Sequence, residues 1–100
     1  MKHALALALA LLATPALADP ICLRSMDIER TSVPDGRTIL FHMKDHKVWK
    51  NTLMADCPSL RFNGFIYDAS PDGRICGNLQ SIRVIHTGTI CLLGPFTPGP

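Results

Sequence analysis

Thr38-Ile39-Leu40-Phe41-His42-Met43, then Lys44-Asp45-His46-Lys47, then Val48-Trp49-Lys50-Asn51-Thr52-Leu53: this stretch sets the fold class. Its first six residues are rich in β-formers, and a period of two puts Ile39, Phe41 and Met43 on one face and Leu40 and His42 on the other. Lys44 to Lys47 predicts a tight reversal. Asp and His tolerate positive φ better than most residues, so a two-residue loop at Asp45-His46 is expected. Val48 to Leu53 then returns antiparallel, with Trp49, Asn51 and Leu53 sharing one face and Lys50 and Thr52 the other.

The same pattern extends in both directions. Asp27 to Val33 alternates in part and ends at Pro34-Asp35-Gly36, a common turn chemistry, so it adds a third strand to the meander. Downstream, Met54 to Leu60 breaks the alternation. Cys57-Pro58 continues neither a central strand nor a helix interior, and the segment reads as a loop with about one helical turn. Phe62 to Ala69 resumes β character and Ser70-Pro71-Asp72-Gly73 turns the chain again. Arg74-Ile75-Cys76 is short and extended. Ser81 to His86 and Ile90 to Leu93 form a hairpin around Thr87-Gly88-Thr89. The tail, residues 94–100, lacks backbone donors at its three prolines and is expected to fray. Outside the first residues there is no long apolar stripe at helical spacing, so the class is all-β: a small antiparallel meander or open barrel of about five to seven strands. Pro-Asp-Gly-Arg occurs at Pro34 and again at Pro71, but the match ends with the tetrapeptide, which fits turn chemistry better than duplication.

The chain opens with a different signal. Lys2 supplies a positive start, Ala4 to Ala13 is unbroken apolar sequence, and Ala16-Leu17-Ala18 has the small-x-small pattern of a signal-peptidase site. Residues 1–18 therefore read as a cleaved leader and residues 19–100 as one small domain beginning at Asp19. The leader's apolar run is too short for the roughly 20 residues that span a bilayer, and no transmembrane segment follows it. Nor does Cys22 follow the cleavage site directly, as a lipid-anchored cysteine would. Export places the product in the periplasm or beyond the cell. There, an even count of four cysteines in a short chain reads as a disulfide framework. A domain this small seldom holds itself together by its core alone, which is a reason to expect such staples. Sequence alone leaves all three pairings of Cys22, Cys57, Cys76 and Cys91 open.

Charge and motifs narrow function mainly by exclusion. Ten Lys and Arg stand against eight Asp and Glu, a net +2 for the whole chain, which leaves no footprint for nucleic acid or an anionic membrane surface. Lys44, Lys47 and Lys50 beside Trp49 read as a solvated hairpin edge that discourages strand-to-strand pairing. The cysteines stand too far apart for a Cys-x-x-Cys redox pair or a zinc knuckle. His42 and His46 have the spacing of a helical metal pair but lie on a strand and in a turn, and His86 stands alone. No serine sits in a nucleophile motif, and Asp68 and Asp72 flank a turn without a matched carboxylate. No catalytic residue, metal site or cofactor is assigned.

Two residues remain as candidates for ligand binding, Trp49 and Asn51. If Trp49 and Leu53 enter the core, Asn51 between them must find hydrogen-bond partners. The structural reading makes it a buried clasp to the following loop. The functional reading has Trp49 and Asn51 lining a cleft that binds by stacking and hydrogen bonding.

Taken together, Asp35-Gly36-Arg37-Thr38-Ile39-Leu40-Phe41, Val48-Trp49-Lys50-Asn51-Thr52-Leu53, Cys57-Pro58-Ser59-Leu60, Ile75-Cys76, Ile82-Arg83-Val84 and Cys91-Leu92-Leu93-Gly94-Pro95-Phe96 resemble small secreted proteobacterial proteins that carry a domain of unknown function. The resemblance spans nearly all of residues 19–100. It implies export and a cysteine arrangement rather than a chemistry: Cys57 pairs with Cys91, which leaves Cys22 for Cys76. A bridge at Cys22 would also stop the new amino terminus from fraying. By elimination the expected function is a non-catalytic envelope module that binds another protein or a small envelope ligand. The alternatives are a small periplasmic enzyme or metal carrier using His42, His46 or His86, and an inhibitor of an extracellular hydrolase.

Overall fold

The computed structural model describes residues 20–100; the leader, residues 1–18, and the expected start at Asp19 lie outside the described residues. Nine short strands make up the described part: β1 (Cys22–Arg24), β2 (Ile28–Asp35), β3 (Thr38–Met43), β4 (Val48–Thr52), β5 (Phe65–Tyr67), β6 (Arg74–Cys76), β7 (Ser81–Val84), β8 (Ile90–Leu92) and β9 (Phe96–Pro98). A 3-10 turn, Ser25–Asp27, follows β1, and one α-helical turn, α1, covers Leu60–Asn63. The all-β expectation holds, with more strands than five to seven. The excess comes from β1 and β9, which only distant partners create.

Among the described residues all pairings are antiparallel and form three sheets, β2-β3-β4-β9, β5-β7-β8 and β1-β6, none closed into a barrel. The meander appears as read, with Ile39, Phe41 and Met43 buried on the inner face of β3. Its reversal is three residues long rather than two: the Met43 carbonyl accepts from the His46 N–H at 3.0 Å, and the Met43 N–H donates to the Lys47 carbonyl at 2.8 Å. His46 takes the left-handed conformation, φ 73°, that such a turn requires. Pro34 lies inside β2, not beyond it. A proline is tolerated there because β2 is an edge strand, bulged between Ser32 and Asp35.

Two other expectations are corrected. Phe62 and Asn63 belong to α1, and the strand they were expected to begin starts at Phe65, after Gly64 takes φ 73°. The 94–100 tail does not fray: Phe96, Thr97 and Pro98 pair with Asn51, Lys50 and Trp49. Phe96 supplies the reason. It is 4% exposed, with its ring edge-on to Phe41 at 5.2 Å, and that apolar burial outweighs the missing proline donors.

One core joins the sheets. Ile39, Phe41, Met43 and Phe96 face Ile82, Val84 and Leu93 of the second sheet and its continuation, and Leu23 with Ile75 brings in β1-β6. Phe41 meets Phe65 of the opposite sheet at 6.4 Å. The bridges are Cys22–Cys76 and Cys57–Cys91. The first joins directly opposed residues of β1 and β6, and the second ties the loop after β4 to β8. Such bridges belong to an oxidising environment. Among the described residues no helix is long and apolar enough to cross a membrane.

Candidate functional site

Strand pairing sorts the side chains of β4. Residues directly opposite in an antiparallel sheet share a face, so Ile39, Asn51 and Phe96 form one inner layer and Phe41, Trp49 and Pro98 the next. Asn51 therefore points into the core, and it is fully buried. Its side-chain Nδ2–H donates to the Gly94 carbonyl at 2.9 Å, and its Oδ1 accepts from the Gly94 N–H at 2.9 Å. The Gly94 carbonyl also accepts from the Asn78 N–H at 3.0 Å. One buried amide thus pins together β4, the β6–β7 link and the turn before β9. The clasp is present, but its partner lies 43 residues on, not in the following loop. Only glycine fits opposite it, since a Cβ on residue 94 would stand 1.9 Å from the Thr52 carbonyl oxygen.

Trp49 behaves differently. It packs half-buried against the core, at the end of the inner face nearest the β3–β4 hairpin. Two grooves meet at its side chain. One, about 460 Å³, runs between His46–Trp49 and Pro98–Pro100. The other, about 290 Å³, is lined by Asp27, Met43, Lys44, Asp45 and Trp49. The larger lies within the size range of small-ligand sites. The structure thus separates the two candidate residues: Trp49 opens onto both grooves, while Asn51 has no exposed surface and no unpaired amide atom to offer a ligand. Sequence reading missed Asp27, Met43, Asp45 and Pro98 as groove residues, since Asp27 meets the β3–β4 turn only through tertiary pairing, where the Lys44 N–H donates to the Asp27 carbonyl at 2.9 Å, and Pro98 arrives only when β9 pairs.

Among the described residues the histidines do not gather. His46 lines the larger groove, His86 sits in the β7–β8 turn with φ 75°, and His42 lies on the outer face of β3. His42 Nε2 and Ser32 Oγ are 2.9 Å apart across β2 and β3. A nucleophile–base pair would also need an orienting group and oxyanion donors, and this contact stands on the outer face of a sheet with neither built around it. Among the described residues no three His, Cys, Asp or Glu side chains are grouped to hold a metal ion.

Perturbed titrations also lie elsewhere. Asp35 is held below the usual carboxylate range by the Arg37 backbone N–H, which donates to it at 2.8 Å in the β2–β3 turn. Asp72 is lowered by the Ser70 hydroxyl, with Arg74 adding to the effect. Burial raises Tyr67, beside a third hollow of about 200 Å³, smaller than ligand sites usually are. Comparison with family models, curated proteins and solved structures returned no match.

Proposed function

We propose that this protein is an exported, non-catalytic binding module of the periplasm or cell exterior, and that its ligand or protein partner engages the grooves around Trp49. The observation that carries this reading is the convergence of both grooves on the chain's single tryptophan. The indole and the Pro98 ring offer a flat apolar wall, while Lys44, Asp27 and Asp45 set polar groups around one rim. A wall of this kind suits a partner with one flat apolar face and hydrogen-bonding edges. The leader read in residues 1–18 and the two bridges support export.

The test is capture from a periplasmic extract by the mature protein and by Trp49→Ala. Saturable capture by the wild type, lost in a Trp49→Ala variant whose far-UV circular dichroism is unchanged, is the expected result. Absence of any saturable partner, or equal capture by the variant, overturns the reading.

A further inference from the structure

The two disulfides differ in what surrounds them. Cys57 and Cys91 are 2% and 8% exposed, inside the core. Cys22 and Cys76 are only half-buried, and they face each other across β1-β6. In this ladder Leu23 and Ile75 point into the core, so the period of two puts the bridge and the next pair, Arg24 with Arg74, on the outer face. The backbones of Arg24 and Arg74 thus lie about two residues, or roughly 6.7 Å of strand, from those of the cysteines, and their guanidinium groups reach the other way, to Asp27 and Asp72. Each is 56% or more exposed and carries a loose carboxylate partner, Asp27 at 3.9 Å and Asp72 at 3.5 Å, which reduces the local positive charge without removing it.

We infer that Cys22–Cys76 is a site of thiol–disulfide exchange, open to a thiol reductant while Cys57–Cys91 stays locked. The attacking thiolate bonds to the sulfur of one half-buried cysteine, the S–S bond breaks, and its electron pair leaves on the other cysteine as a thiolate. A second thiol then attacks the mixed disulfide. The reductant ends as a disulfide, and two electrons and two protons reside on Cys22 and Cys76. Access decides the order: Cys22 and Cys76 are half-buried, whereas Cys57 and Cys91 are enclosed in the core. The consequence is local. β1 keeps its ladder, the Ser25 N–H to Gly73 carbonyl bond and the Gly77 N–H to Ile21 carbonyl bond, but loses its covalent lock, so its end opens while the core stays closed.

The experiment treats oxidised mature protein with rising concentrations of glutathione or, separately, of dithiothreitol, traps free thiols with iodoacetamide and counts alkylation at each cysteine by mass spectrometry. Cys22 and Cys76 should be alkylated at reductant concentrations at least about ten-fold lower than Cys57 and Cys91. Faster hydrogen exchange at the Gly77 amide should accompany this, with core amides unchanged. Labelling that needs dithiothreitol identifies a dithiol as the matching reductant, and labelling with both identifies any exposed thiol. Arg24→Gln with Arg74→Gln should leave the order of the two bridges unchanged, since both guanidinium groups turn to Asp27 and Asp72. Equal reduction of both bridges, or earlier reduction of Cys57–Cys91, overturns the inference.

Discussion

Asn51 shows how a polar side chain can become the best-determined residue of an apolar layer. Its neighbours Ile39 and Phe96 exclude water, so the amide is committed to Gly94, and Gly94 in turn has both backbone groups engaged by it. Asn51→Ala removes one side chain and strands the buried Gly94 N–H, while the Gly94 carbonyl keeps the Asn78 N–H. The expected cost is about 1–3 kcal/mol, that of one buried N–H left without its partner. Urea denaturation checks this, and a loss below about 1 kcal/mol would show that water replaces the amide. Half of this was legible in the sequence: an Asn flanked by Trp49 and Leu53 on an alternating strand must find partners inside. The partner was not legible, because no local rule links residue 51 to residue 94. The cleft role for Asn51 rested on the same alternation, which places a residue on a face without saying what covers that face.

At the level of elements, alternation and turn chemistry made β2, β3, β4, β7 and β8 readable, and the same cues misjudged the ends of the chain. Gly94-Pro95-Phe96-Thr97-Pro98 has the composition of a loose tail. It forms β9 because an edge of β4 is free to accept it and Phe96 has a place beside Phe41. The prolines suit an outer strand, as Pro34 suits β2 at the other edge of the same sheet. β8 carries neither proline nor charge, and its Ile90 and Leu92 side chains are 67% and 59% exposed, so the two sheets guard their borders unequally. If β9 is held by Phe96 and not by its few ladder bonds, Phe96→Ala should release the whole strand. The expected loss is about 3–5 kcal/mol, the usual cost of truncating a buried phenylalanine. It should come with rapid exchange of the Gly99 amide, which donates to the Val48 carbonyl at 2.7 Å. It should also open the larger groove at Trp49, whose far wall is β9. A variant that keeps a protected Gly99 amide would place the strength of β9 in its backbone instead.

Across the whole molecule, stability depends on how three small sheets are kept against one core. Residues 20–100 bury few large side chains, and the cysteine count announced staples before any contact was known. Which cysteines meet was implied by the resemblance and not by spacing, because register across distant segments has no local signature. The bridges close loops of 54 and 34 residues, for which the chain-entropy model gives about 4 kcal/mol each, nearly equal. Their surroundings break that equality. Replacing Cys57 and Cys91 by alanine removes two buried sulfurs and leaves space between the post-β4 loop and β8, so a packing loss adds to the entropic one. Replacing Cys22 and Cys76 by serine at half-buried positions adds little beyond the lost crosslink. The Cys57→Ala, Cys91→Ala protein is therefore expected to be the less stable by about 1–2 kcal/mol, the cost of the small cavity. In both variants the urea m-value should rise, since the unfolded chain without its crosslink exposes more surface. Equal stabilities with raised m-values would mean the core closes around the missing sulfurs. The entropic term, set by 54 and 34 residues of loop, would then be the whole contribution of each bridge.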